Sequence, residues 1–154
     1  MSSLVSIYER LVKIASGTFV EGLALLFTRV ALAGIFWRSY QTKVEEGTWL
    51  QIKDVQYMIF EMEFSGLPLP TDLAVPMATY AEFAFPILLV VGLATRFSAL
   101  ALMIMALVIQ VFVFPTSEHF FGWAIGVIAL AAILIVRGGG VLSADALIAK
   151  ARGK

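Results

Sequence analysis

The chain contains no cysteine. That excludes disulfide scaffolds, thiol relays of the Cys-x-x-Cys type, and sulfur ligation of zinc or iron–sulfur clusters. A single histidine leaves no histidine cage for a metal and no histidine pair for haem within one subunit. No metal site and no covalently bound cofactor are expected. Charge is sparse: 14% of the 154 residues are charged, eleven basic against eleven acidic, where soluble domains carry about 25%. With no net charge and no basic stripe, nothing here would neutralise a phosphate backbone, so nucleic acid is not an expected partner. A nucleotide-binding unit is missing too, because Gly138-Gly139-Gly140 follows no strand and leads to no Gly-Lys-Ser/Thr ending.

What the chain has instead is apolar surface. Hydrophobic residues make up 60% and the mean hydropathy is +0.93, which points to lipid as the main solvent and partner. Four stretches approach the roughly 20 residues that span a hydrocarbon core: 19–37, 73–93, 97–114 and 120–136. Ala94, Thr95 and Arg96 alone separate the second from the third, so those two are antiparallel neighbours. Pro115 ends the third, and Thr116 or Ser117 is the natural cap of the fourth. The expected fold is an all-α membrane four-helix bundle, with residues 1–154 forming one integral membrane domain.

Two further helices are expected. Leu4, Ile7, Tyr8, Leu11, Ile14 and Ala15 recur at helical spacing, with Arg10 and Lys13 falling too late for a secretory signal. This is the pattern of an N-terminal amphipathic helix lying at the membrane interface. In the long connection 39–72, Trp49, Ile52, Val55, Ile59 and Met62 recur every three or four residues before the breaker Gly66-Leu67-Pro68-Leu69-Pro70. A short amphipathic helix in the outer loop accounts for them, resting on the bundle mouth or serving as a plain interface anchor. Arg10, Lys13, Arg96, Arg137, Lys150, Arg152 and Lys154 fall on one side, against Arg38, Lys43 and Lys53 on the other. The positive-inside rule then places both termini in the cytoplasm.

Arg29 and Glu82 interrupt the first and second spans. A charge at membrane depth is costly and normally finds a partner inside the bundle, so each is the other's expected partner. Such a pair either fixes helix register, with little net stabilisation, or serves a site. Pro86 has no amide hydrogen and deprives the Glu82 carbonyl of its helical donor, which places a carboxylate and a freed carbonyl together. Tyr80, Gln110, His119, Trp123, Lys43 and Arg38 fall in the same outer half. Together with Glu82 they could line an outward-facing pocket for a small polar or quinone-like headgroup. For His119 a plain helix-start role competes, and for Trp123 and Trp37 a place in the interfacial aromatic belt. Gly122, Gly126, Ala129 and Ala132 permit close helix contact within the bundle or between subunits of a homo-oligomer. The glycines at 138–140 read as a flexible exit, after which Ser143 caps a last helix with Asp145 in its first turn.

Taken in order, these residues resemble the DoxX family of small four-helix bacterial membrane proteins. The resemblance rests on Arg29, Gly34 to Phe36 followed by Lys43, Gly66-Leu67-Pro68, Glu82 before Pro86, Gly92-Leu93-Ala94-Thr95-Arg96, and His119. It ends on Gly138-Gly139-Gly140-Val141-Leu142-Ser143-Ala144-Asp145, which is similar to the family's terminal Gly-Pro-Gly-x-x-Ser-x-Asp signature. Gly139 stands where proline is usual, and the segment after Lys43 lacks a glycine-rich turn. The family takes its name from a subunit of an archaeal thiosulfate:quinone oxidoreductase, and relatives are associated with oxidative-stress complexes beside superoxide dismutase. The resemblance therefore implies a multi-pass protein of the bacterial cytoplasmic (inner) membrane, acting as a quinone-facing or anchoring subunit beside a redox partner protein. Glu82 would be proton acceptor or headgroup partner, Arg29 its counter-charge, and His119 a second proton-transfer group. An autonomous enzyme is not expected, since electrons would have to come from a partner or stay on a bound quinone. Two other classes compete: a membrane anchor or assembly factor in which Arg29 and Glu82 only hold helices together, and a small-molecule carrier.

Overall fold

The computed structural model describes residues 2–153; Met1 and Lys154, the latter counted above on the basic side, lie outside them. The described chain is α-helical throughout, with one isolated antiparallel bridge between Val44 and Ile52. Helix α1 covers Ser2–Ala15, α2 Thr18–Lys43, α3 Val55–Glu63 and α4 Thr71–Val91. Then come α5, Thr95–Val108, the short α6, Ser117–His119, α7, Ile125–Arg137, and α8, Ala144–Ala151. A π-helical turn, Ile109–Val113, prolongs α5, and another, Phe120–Ala124, joins α6 to α7.

Among the described residues, four helical stretches are long and apolar enough to cross a membrane: Thr18–Lys43, Thr71–Val91, Thr95–Val113 and Ser117–Arg137. Helix α2 packs on α4 and α7, and α5 packs on the same two, so the four close into a ring. The core inside it is built from Leu25, Leu32, Phe36, Leu89, Leu102, Val127 and Leu134, with Ala99, Ala106 and Ala131 letting backbones approach. One end of the bundle carries the α2–α4 connection and is called here the loop end. The other holds the α4–α5 turn and the 138–151 segment and is called the terminal end.

The first span runs six residues past its expected limit at Trp37. Leu25, Arg29, Leu32, Phe36, Tyr40 and Lys43 form one buried stripe at three- and four-residue spacing, so the helix keeps packing after hydropathy falls. The expected face of the loop helix is corrected. Val55 and Met62 are exposed and the buried residues are Gln56 and Phe60, while Trp49 and Ile52 lie before the helix in a hairpin-like segment. Tyr40 pins that segment by donating its hydroxyl to the Trp49 carbonyl, and Tyr80 donates to the Leu50 carbonyl at 3.3 Å.

At the terminal end α4 stops at Gly92, whose φ of +76° is left-handed. Its amide donates to Leu88 O at 2.8 Å and the Leu93 amide donates to the same oxygen at 2.9 Å, closing the helix. Thr116 and Ser143 cap as expected: the Thr116 hydroxyl accepts from the His119 amide and the Ser143 hydroxyl from the Ala146 amide, both at 3.2 Å.

Candidate functional site

Arg29 and Glu82 do not pair. Helices α2 and α4 run antiparallel, and Arg29 stands opposite Leu89 and Val90, while Glu82 stands opposite Ser39. Seven residues separate Glu82 from Leu89 along α4, about 10 Å at the α-helical rise. The two charges thus belong to different levels of the bundle.

The partner of Glu82 is Lys43. Lys43 Nζ donates to Glu82 Oε2 at 2.7 Å and to Ser39 Oγ at 2.7 Å, and Ser39 Oγ donates to Glu82 Oε1 at 3.1 Å. The lysine and glutamate side chains are 11% and 4% exposed, so two opposite charges are shielded together rather than singly. Half-buried Ser39 sits one turn before Lys43 on α2, which puts both against the same carboxylate.

This cluster is the polar floor of a cavity of about 750 Å³ at the loop end. Ala74, Ala78 and Ala81 recur along one face of α4 and look onto Ala101 of α5, so small side chains leave the space unfilled. Phe60, Phe64 and Leu67 roof it from α3 and the segment after it. Nearer the terminal end, Phe85 and Phe97 close the α4–α5 gap with an edge-to-face contact at 5.8 Å. Met77 of α4 and Ile104 of α5 both line the cavity and are 58% and 51% exposed. The cavity therefore reaches the outside of the bundle between those helices, where an apolar membrane would lie against it.

His119 and Trp123 also line it, with ring centroids 5.2 Å apart. Gln110, in the π-turn that ends α5, donates its amide to Phe114 O at 3.0 Å and Thr116 O at 3.1 Å, and its Oε1 lies 2.7 Å from His119 Nδ1. π-turns of this kind often mark functional positions in helices. Gln110 thus stands behind His119 rather than on the cavity wall. Tyr80 is spent on the loop, and Arg38 is exposed away from the cavity lining. The structure brings together Glu82, Lys43, His119 and Trp123 of the expected residues, adds Ser39, and leaves Arg29, Tyr80 and Gln110 off the wall.

Arg29 instead serves the terminal end. Fully buried, its Nη1 donates to Leu89 O and Val90 O, both at 3.2 Å, and its Nη2 to Leu142 O at 2.5 Å. The first two are carbonyls of the last turn of α4, where a cation is favoured, and Leu89 O also accepts from the Gly92 amide at 3.1 Å. The third ties in the glycine-rich segment, which is packed rather than a free exit: Gly138 and Gly139 are buried. Asp145 leaves its own helix to accept from the Ala94 amide at 2.8 Å and the Thr95 amide at 2.9 Å. The Asp145 amide in return donates to Gly92 O at 2.9 Å. Burial raises the Asp145 pKa, but the amides of Thr95 and Ala94 and the charge of Arg29 outweigh it and hold the group below the ordinary carboxylate value. At the same end Arg137 reaches back to pair with Glu21 of α2.

Among the described residues no group of three or more His, Cys, Asp or Glu is placed to hold a metal ion. In sequence, a protein of Haemophilus influenzae described as uncharacterized is 33% identical over 136 residues, which is 84% of this chain and 86% of that protein. No solved structure matches the chain. The DoxX family profile matches residues 24–115, a stretch that holds Arg29, Ser39, Lys43, Glu82 and Gln110. With that match and four apolar helices of membrane length, the chain belongs to the DoxX family of multi-span membrane proteins.

Proposed function

We propose that this protein is the membrane subunit of a redox-linked assembly and holds a quinone-type ring, in one of its redox forms, in the loop-end cavity. The observation that carries the reading is the cavity itself: about 750 Å³, walled by apolar side chains, polar at a floor of buried Lys43 and Glu82 with half-buried Ser39, and at His119. Such a site suits a small ring with a polar edge and an apolar tail. Its reach between Met77 and Ile104 lets such a molecule enter from the hydrocarbon without crossing water. Glu82, held in place by Lys43 and Ser39, would meet the head of the ring and His119 would meet a second polar group. Electrons would be exchanged with a partner protein.

In this reading α1 lies in the interface on the cytoplasmic side, its exposed Leu4, Ile7, Tyr8 and Leu11 in lipid. The basic residues Arg10, Lys13, Arg96, Arg137, Lys150 and Arg152 share that side. Lys43 no longer counts against the assignment, since its charge is neutralised inside the bundle.

The test is binding of an alkyl-hydroquinone, kept anaerobic, to purified protein in nanodiscs. Ala81→Leu fills the cavity and leaves the ion pair intact, and should weaken binding at least tenfold. Glu82→Gln, in the fraction that folds, should do the same. Unchanged affinity in both folded variants would contradict the proposal. A second reading is a membrane anchor without a ligand, favoured by the fact that Lys43 and Ser39 already partner Glu82; it predicts no saturable binding at all.

A further inference from the structure

The hydrogen-bonding groups on the cavity wall are strongly biased toward acceptors. All three Lys43 N–H groups have partners, in Glu82 Oε2, Ser39 Oγ and, at 3.4 Å, Ser39 O. The Ser39 hydroxyl hydrogen is directed to Glu82 Oε1. The floor has therefore used its side-chain donors internally. A carboxylate has about four lone-pair sites, and Ser39 and Lys43 occupy one on each oxygen of Glu82. Each oxygen keeps a further site, and Pro86 leaves the Glu82 carbonyl without its helical donor as well.

The histidine has the same bias, and Gln110 imposes it. Because the Gln110 amide nitrogen donates to two carbonyls, its Oε1 is the atom facing His119 Nδ1. An amide oxygen only accepts, so Nδ1 carries the hydrogen, and in the neutral ring Nε2 is left with a lone pair. Gln110 is thus a positioning residue for His119. Among the described residues, the indole N–H of Trp123 is the side-chain donor left on the lining. A hydroxyl can accept from that group while donating to a lone pair; a carbonyl cannot do both.

We infer that the cavity selects a hydroxyl-bearing aromatic amphiphile, such as a dihydroxy-arene with an apolar tail, over the corresponding dicarbonyl or ether. One hydroxyl would donate to Glu82 and the other to His119 Nε2, with the tail leaving between α4 and α5. The inference rests on the proposed occupancy of this cavity and specifies which form occupies it.

Full-length protein in nanodiscs is titrated anaerobically with nonylhydroquinone, its dimethyl ether and nonylbenzoquinone, binding being read from tryptophan fluorescence. The hydroquinone should bind at least tenfold more tightly than either of the others. Gln110→Leu, which frees the imidazole to take the other tautomer, should reduce that preference. Since the chain has one histidine, nitrogen-15 spectra at alkaline pH report its tautomer directly. The expected form is protonated on Nδ1 in the wild type and mixed in Gln110→Leu. Equal affinity for hydroquinone and ether, tighter binding of the quinone, or an Nε2-protonated wild-type ring would each overturn the inference while leaving occupancy of the cavity standing. Failure of all three compounds to bind would overturn both.

Discussion

Lys43, at the last residue of its helix, reaches 2.7 Å from Glu82, whereas Arg29 on the same stripe of the same helix bonds only backbone carbonyls. Between them lie Leu32 and Phe36, both buried in the apolar core. One helix face therefore carries two cations with unrelated tasks. Lys43 neutralises the cavity floor, and Arg29 closes the opposite end.

Removing one member of the Lys43–Glu82 pair leaves the other charge buried. Lys43→Met or Glu82→Leu alone should destabilise the folded protein by about 3–5 kcal/mol, while the double variant should recover much of that loss. Thermal unfolding in detergent, arranged as a double-mutant cycle, measures the coupling. Additive losses would mean that the two charges do not depend on each other.

Arg29→Lys should not rescue Arg29→Leu. Three carbonyls are reached by two nitrogens of one planar fork, which a single ammonium cannot reproduce. Both variants should raise hydrogen exchange at Gly92, Ala94, Thr95 and Asp145 and leave the loop-end helices protected. Faster exchange around Ser39 and Glu82 instead would place Arg29 in the wrong part of the molecule.

Gly92→Ala should be among the most damaging small substitutions. The residue has a φ of +76°, and a β-carbon there would collide with Arg29 Nη1 and lie 2.6 Å from Ser143 Cβ. A cost of at least about 1–2 kcal/mol is expected from the backbone alone. Gly122→Ala, where a β-carbon meets nothing within 4 Å, is the matched control and should be close to neutral.

The terminal clamp should weaken in acid through Asp145. Its folded pKa lies below the ordinary carboxylate value, so its contribution is fully present above the unfolded pKa of about 3.9. It is lost as pH falls through the depressed folded value. The difference in unfolding midpoint between wild type and Asp145→Asn should be constant near neutrality and shrink below about pH 4. A difference that grows in acid would have the wrong sign.

Much of this architecture is legible in the residues, and the failures have physical causes. The four apolar stretches are long enough that composition alone finds them. Thr116 and Ser143 cap helices because a hydroxyl just before a helix has a local target. The expected Arg29–Glu82 pair fails because partner choice depends on the register between α2 and α4, which no single helix carries. Lys43 falls past the expected first span because charge lowers hydropathy, although the buried spacing runs unbroken from Leu25 to Lys43. Ser39 gives no signal of its own, because a lone serine past the apolar run is common and its carboxylate partner lies 43 residues away. The sequence shows Asp145 only as a first-turn residue of its own helix, because the α4–α5 turn that it caps is about 50 residues distant.

Photoaffinity labelling tests the central proposal most directly. An alkyl-azidoquinone is irradiated with the protein in nanodiscs, and the modified residues are mapped by mass spectrometry. Labelling should concentrate on Met77, Ala81, Ile104 and Trp123 around the cavity and be suppressed by excess nonylhydroquinone and by Ala81→Leu. Labelling confined to exposed membrane-facing positions such as Phe27, Phe121 and Val136, and insensitive to competitor, would contradict it.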